Sequence, residues 1–335
     1  MDTSKLIGKI RTIQAGIRDR IVEKLDSEPV GGMSGVVGET SGDTIYAIDR
    51  ISEDALRAAF EEGLADEASF VLVGEGLADG GEVYPAGTPH EDAEYRVIVD
   101  PIDGTRGLMY DKRSAWVLTG VAPNLGPETG LRDILVAVQT EIPTSKQYRS
   151  DVLWAVRGEG AAGESYDRIR DRTGPLSLRP SEAETVEHGF AMLSRFFPGG
   201  KDILAALEER LAEELIGPVE RGRARLFEDQ YICTGGQLYE LMAGHDRFNA
   251  DLRPLLEGVL AKRGNAPGIN CHPYDICTAL IAVEAGVQVT DPSGSPLSAP
   301  LDTTYPIAWV GYANKRLKAT IEPVLNRLLQ EFDLI

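Results

Sequence analysis

Val97-Ile98-Val99-Asp100-Pro101-Ile102-Asp103-Gly104-Thr105 runs three β-branched residues of buried type straight into two acids set three apart. A strand that ends on clustered negative charge is costly unless the charge finds a partner. Asp-Pro and Asp-Gly are also ordinary turn dipeptides, and a plain turn is the competing reading of this stretch taken alone. The spacing adds a second reading. Acids three apart around a bend can both face one cation, with the Ile102 carbonyl between them as a third oxygen. An EF-hand is ruled out, because it needs ligands at alternate positions of a longer loop and a later Glu.

Other acids occupy similar places. Phe70-Val71-Leu72-Val73-Gly74-Glu75 is a second apolar run ending on a carboxylate, which a neighbouring strand can bring beside Asp100. Asp275 opens the expected helix Ile276 to Glu284, and Asp49 precedes a helix in Ala47-Ile48-Asp49-Arg50-Ile51-Ser52-Glu53; for each, simple capping is the alternative. Taken together, hard oxygen ligands with no convergent His or Cys favour magnesium, manganese or calcium over zinc or copper. Several carboxylates around one point repel, and bound divalent cations are the usual remedy. Such a site suits phosphoryl chemistry, in which the ions neutralise the phosphate, lower the pKa of a bound water and steady the leaving oxygen. Thr105 is placed to position that water and Asp49 to orient Thr105. Gly104 lets the backbone approach a phosphate, and a helix starting just beyond would supply donors to it.

Composition sets the outer limits. The 335 residues correspond to about two domains at roughly 150 residues each, divided here at 1–184 and 185–335. No window approaches the roughly 18 unbroken apolar residues of a membrane helix. Lys5, Lys9, Arg11, Arg18 and Glu23 interrupt the apolar positions of the N-terminus, unlike a signal peptide, so a cytoplasmic protein is expected. A net charge of −19 disfavours nucleic acid and anionic lipid as partners. It also makes an anionic small substrate awkward unless a metal ion reverses the local field. Three cysteines, Cys233, Cys271 and Cys277, match neither a disulfide framework nor a zinc spacing.

Leu6, Ile10, Ile13, Ile17, Ile21 and Leu25 predict one amphipathic helix over residues 3–27. Five glycines between Gly31 and Gly42 predict a loop, and a second helix is expected from Ser52 to Phe60. Strand-like runs follow at Phe70–Val73, Tyr95–Val99, Trp116–Val121, Ile134–Thr140 and Val152–Val156, giving an α+β first half. Beyond about Ser181 strands and helices alternate as in α/β folds. Strands are expected at Phe190–Leu193 and Ile307–Val310, and helices at Lys201–Leu215, Gly236–Met242, Asp275–Ala285 and Ala313–Leu329. Arg253 to Gly268 is irregular and punctuated by Gly and Pro.

At its acidic residues the chain resembles the inositol monophosphatase superfamily, which also contains fructose-1,6-bisphosphatase-like sugar bisphosphatases and nucleotide 3'-phosphatases. D-P-I-D-G-T at 100–105 carries the resemblance. Ile48-Asp49-Arg50-Ile51-Ser52-Glu53, Gly74-Glu75, and Pro273-Tyr274-Asp275 leading into Ala282-Val283-Glu284-Ala285-Gly286 stand around it in the expected order. The resemblance implies a layered αβαβα sandwich of the sugar phosphatase type and magnesium-dependent hydrolysis of a small phosphomonoester, an inositol monophosphate or a sugar phosphate or bisphosphate. In that scheme Glu75, Asp100 and the Ile102 carbonyl hold one ion, and Asp100, Asp103 and Asp275 a second; manganese is an alternative metal. Asp49 and Thr105, with Glu75, form the catalytic set that activates water, and Gly104, Thr105 and Arg106 meet the phosphate. Lithium inhibition and a homodimer are further implications. Nucleotide 3'-phosphatase and histidinol-phosphatase activities are the alternatives within the family.

The chain departs from the family pattern in several places. Gly76 follows Glu75 where a second Glu is common, so the site implies two ions and leaves a third open. Arg106 replaces a Thr or Ser, Tyr274 replaces a Trp, and Asp246 to Tyr274 carries an apparent insertion in which the acid that clamps inositol hydroxyls has no counterpart. Ser41-Gly42-Asp43-Thr44 is more similar to the fructose-bisphosphatase type. Gly158-Glu159-Gly160-Ala161-Ala162-Gly163 fits G-x-G-x-x-G, but the polar Glu164-Ser165-Tyr166-Asp167-Arg168 that follows starts no apolar helix, so a dinucleotide fold is rejected in favour of a hairpin turn. Ser34 misses the nucleophile-elbow pattern. His272, three before Asp275, is a candidate pocket residue, while His90, His188 and His245 are scattered. A non-catalytic sugar-phosphate-binding protein is the remaining alternative, disfavoured because a pure binder has no need of Thr105 and Asp49 to orient water.

Overall fold

The computed structural model describes residues 1–27, 36–39, 44–78 and 80–335, with residues 36–39 and 44–55 described by their backbone alone. Helix α1 (Thr3–Ser27) buries Leu6, Ile10, Ile13, Ile17 and Ile21, the stripe that its spacing predicts. Strands β1 (Val36–Glu39) and β2 (Thr44–Tyr46) pair antiparallel, so a strand lies inside the expected loop Gly31–Gly42; the rest of that stretch, Ser34 included, lies outside the described residues. Helix α2 (Ala47–Leu64) begins five residues before the expected Ser52 and runs past Phe60.

Eight strands then build the larger sheet: β3 (Phe70–Gly74), β4 (Glu82–Tyr84), β5 (Tyr95–Asp103), β6 (Ala115–Pro123), β7 (Val136–Ile142), β8 (Arg149–Val156), β9 (Gly160–Asp167) and β10 (Arg172–Pro175). Their order is β10-β9-β8-β7-β6-β5-β3-β4, antiparallel throughout except for the parallel pair β3 and β5. The short helix α3 (Thr105–Met109) leaves the end of β5. The second half contributes β11 (Gly189–Leu193), α4 (Lys201–Ile216), β12 (Leu226–Phe227), α5 (Thr234–Met242), β13 (Asp246–Asp251), α6 (Glu257–Lys262), α7 (Ala279–Glu284), β14 (Gln288–Thr290), β15 (Trp309–Tyr312) and α8 (Lys315–Glu331). Its five strands are ordered β12-β11-β13-β15-β14. β15 and α8 each begin two residues beyond their expected starts.

Alternation along the central strands separates two cores. Val97 and Val99 of β5 and Val117 and Val121 of β6 pack with α1 and α2, against Leu56, Phe60 and Leu64. Ile98, Trp116, Leu118 and Ala122 face the other way, onto Leu238 and Leu241 of α5 and Ile281 of α7. The same second core continues through Phe248, Ala250, Trp309 and Val310 of the smaller sheet to Leu204 and Leu207 of α4 and to Leu317, Ile321 and Leu325 of α8. The layers therefore run helix, sheet, helix, sheet, helix, the αβαβα sandwich expected from the resemblance. Among the described residues no helix is long and apolar enough to cross a membrane.

Buried polar groups are paired in ways that tie the layers together. Gln14 of α1, fully buried, donates to Thr119 Oγ1 (2.7 Å) and the Val138 carbonyl (2.9 Å) and accepts from Thr140 Oγ1 (2.7 Å). The glycine motif at 158–163 forms the hairpin between β8 and β9, and its Gly158 and Gly160 N–H groups donate to the two carboxylate oxygens of Glu284 on α7, at 2.8 and 2.9 Å. The anion met by these glycines is thus the protein's own carboxylate. Glu141 at the end of β7 is buried, and that burial, helped by the charge of Asp151, pushes its pKa up to about 7 against the hydrogen bond from Gln147. A raised carboxyl pKa contributes stability that is complete below about pH 4.5 and is lost as pH rises to about 7. Glu141→Gln is therefore expected to remove on the order of 3 kcal/mol of that pH dependence. Denaturant unfolding at pH 4.5 and pH 8 checks this; an unchanged difference between the two pH values refutes the assignment.

Candidate active site

An irregularity in pairing shapes the end of β5. Asp100 pairs with Leu118 of β6 but Asp103 with Trp116, so three residues of β5 span two of β6. In a regular strand acids three apart would point to opposite faces; the extra residue turns both to the face away from α1 and α2, while Ile102 packs into that core. Asp100 accepts the Ile102 N–H at 2.9 Å, and Thr105 Oγ1 donates to the Ile102 carbonyl at 2.9 Å. Gly104, at φ 99°, makes the turn into α3; a Cβ there would stand 3.0 Å from Cys233 Cβ.

The third acid arrives from the second half of the chain. Asp275 lies in a turn four residues before α7 rather than capping the helix, and accepts the His272 N–H at 2.6 Å. Carboxylate oxygens of Asp100, Asp103 and Asp275 all lie within 4.8 Å of one another. Asp103 is also held by the first turn of α5, where the Gly235 N–H donates at 2.5 Å and the Thr234 N–H at 3.2 Å. A side chain at Gly235 would meet Leu118 at 2.6 Å, so glycine allows this approach. Beneath both segments the buried Gln139 of β7 donates to the Gly235 carbonyl (2.8 Å) and accepts from Thr278 Oγ1 (2.9 Å), linking the support of Asp103 to the turn of Asp275.

Electrostatics follow from this crowding. Burial, then the charges of Asp103, Asp275 and Glu75, raise the Asp100 pKa well above the usual carboxylate range. Burial and Asp103 do the same to Asp275. Burial takes Asp103 to about 6, opposed by the α5 N–H groups and by the Arg253 guanidinium. The three cysteines are free and buried, and burial beside these acids raises each thiol.

The acids line a cleft of about 640 Å³ together with Glu75, Ile102, Gly104, Thr105 and Arg106. Parallel pairing of Gly74 with Val99 brings Glu75 next to Asp100 in register, at the exposed rim and outside the three-acid group. Asp49 lies on α2 in the part described by backbone alone, so its side chain lies outside the described residues. His272 contributes its backbone N–H, while its ring stacks on Tyr274, which does line the cleft. The opposite wall holds residues that sequence reasoning did not single out. Arg253, with a side chain 10% exposed, donates Nε to Asp251 at 2.8 Å and Nη1 to the Ile269 carbonyl at 2.7 Å, and lies over Phe196. Arg106 lies over Phe197, 5.0 Å from the ring centre. The stretch Arg253–Gly268 thus contains α6 and returns to the cleft through Ile269 and Asn270. An Asp-Leu-Arg at a strand end was the available signal.

No protein-family model matches the chain, and no curated protein matches it in sequence. Solved structures do match along nearly its whole length. Leishmania major fructose-1,6-bisphosphatase is 15% identical at a TM-score of 0.64, covering 99% of this chain and 95% of that one. The extragenic suppressor protein suhB of Bartonella henselae is 16% identical at 0.63, covering 96% and 98%. The Thermotoga maritima inositol monophosphatase is 17% identical at 0.61, covering 97% and 99%. These likenesses establish the fold: the chain has the layered architecture of the inositol monophosphatase and fructose-1,6-bisphosphatase structures.

Proposed function

We propose that this chain is a metal-dependent phosphatase of the inositol monophosphatase superfamily, hydrolysing a small phosphorylated polyol or sugar. The observation that carries the reading is the convergence of Asp100, Asp103 and Asp275 from two distant stretches beside Thr105 and Arg106. The donor set fits a hard divalent cation: of three crowded carboxylates, burial and neighbouring acids raise the pKa of Asp100 and Asp275 and burial that of Asp103, and none of the convergent ligands is His or Cys. Asp100, Asp103 and Asp275, with Glu75 and the Ile102 carbonyl, would hold magnesium or manganese. Bound there, the ions supply charge neutralisation for the phosphate and the leaving oxygen and acidify water.

The chain's own groups supply position. Thr105 Oγ1 donates to the Ile102 carbonyl, and its lone pairs would orient an attacking water. In the proposed reaction that water's oxygen bonds to phosphorus, the ester P–O bond breaks, and the departing oxygen takes up a proton to give an alcohol and inorganic phosphate. Arg106, at the start of α3, places a guanidinium beside the phosphate position.

Phosphate release from a panel of inositol phosphates, fructose bisphosphate, histidinol phosphate and adenosine bisphosphates, with magnesium and then with EDTA, tests the proposal. Release abolished by the chelator is expected; tight binding without release identifies a binding protein instead. Thr105→Ala is expected to lower kcat by about 10²–10⁴-fold with magnesium affinity unchanged. An equal loss of metal affinity would make Thr105 a structural residue.

A further inference from the structure

A second cleft, of about 980 Å³, shares one strip of chain with the acid cleft. Asp275 lines the first, while Ile276, Cys277 and Leu280 line the second. The two have opposite character. In a chain with 53 acids and 34 bases, this groove is lined by Arg132, Arg157 and Lys318 and by no Asp or Glu among the described residues. Of the nearby carboxylates, Glu284 is held by the Gly158 and Gly160 N–H groups and Asp133 by the Gly130 N–H at 2.8 Å, while Glu322 pairs with the groove's own Lys318 at 3.4 Å and leaves the two arginines as its uncompensated charge.

The two arginines are held in place without being neutralised. Arg157 donates Nε (2.9 Å) and Nη2 (2.6 Å) to the Ile134 carbonyl, and its backbone N–H to the Leu135 carbonyl at 2.9 Å. Arg132 donates Nε to the Leu297 carbonyl (3.2 Å) and Nη2 to the Pro296 carbonyl (2.6 Å). Neither meets a carboxylate among the described residues. Anchored guanidiniums lose little side-chain entropy when they receive an anion, and a planar carboxylate matches their donor geometry. Between them the floor is apolar, formed by Ile276, Leu280, Val287 and Leu297.

We propose that this groove is a second ligand site, distinct from the acid cleft, for a small amphipathic carboxylate whose hydrocarbon body lies on the apolar floor and whose charge meets Arg132 and Arg157. Charge complementarity selects this occupant over an uncharged one.

Calorimetric titration of the full chain in EDTA with 4-phenylbutyrate and with its uncharged amide, 4-phenylbutanamide, tests the site. Saturable one-to-one binding of the carboxylate is expected, about tenfold or more tighter than that of the amide. Arg132→Gln with Arg157→Gln should remove that preference, the paired lysine replacements should restore only part of it because an ammonium lacks the anchored planar fork, and Asp100→Asn should leave it intact. Equal affinity for acid and amide, or loss of binding in Asp100→Asn, would overturn the proposal. So would a change of sedimentation mass in the glutamine variant, which would assign the groove to contact between two copies of the chain.

Discussion

Asp100→Asn is expected to lower phosphate release by about three orders of magnitude, some 4 kcal/mol of transition-state stabilisation, while making the metal-free protein more stable. The two effects have one cause. Asp100 is 2% exposed and faces Asp103, Asp275 and Glu75, so without a cation its charge is opposed by burial and by like charges together. The amide removes that charge at almost constant shape. Thermal melts in EDTA should therefore shift upward in the variant, and added magnesium should raise the melting temperature of the wild type alone. Near-normal release would refute the ligand assignment; a lower melting temperature in EDTA would show that the acids serve the fold rather than an ion.

Arg253→Ala is expected to cost about 3–5 kcal/mol of stability, because it strands a buried charge. Asp251 is 1% exposed and receives its side-chain and backbone donors from Arg253, whose Nε and Nη2 both reach the carboxylate. Removing the guanidinium also frees the Ile269 carbonyl and loosens the return of the inserted stretch to the cleft. Replacing both partners, Arg253→Met with Asp251→Leu, should recover most of the loss, since an apolar pair of similar volume leaves no buried charge unpaired. Denaturant midpoints measure this. A single alanine variant as stable as the wild type would mean that Asp251 is solvated in solution.

What could be read from sequence followed from how local each cause is. The apolar stripe of α1 is set by positions three and four apart, and the expected span matches the observed Thr3–Ser27. Likewise, apolar runs meeting acids at Glu75 and at Asp100 and Asp103 marked the strand ends that carry the cleft. Asp49 suggested a cap because Asp is a good cap, and the helix was expected only from Ser52, but α2 continues back to Ala47 and includes position 49. Asp275 suggested a cap for the same reason; its partner is the His272 N–H behind it, a turn contact that no helical spacing reveals. Gly235 and Gln139 were illegible because each acts through a partner set by the tertiary fold, Gly235 on Asp103 and Gln139 on Thr278; for Arg253 only the local pairing with Asp251 left a trace, and its contact with Ile269 left none.

The carboxylate of Glu284, gripped by two glycine amides, makes α7 a strut between the outer hairpin of the large sheet and the turn that presents Asp275. Deuterium uptake at Gly158 and Gly160 therefore acts as a remote gauge of that turn: these amides become exchangeable when the strut lets go, far from any acid in the cleft.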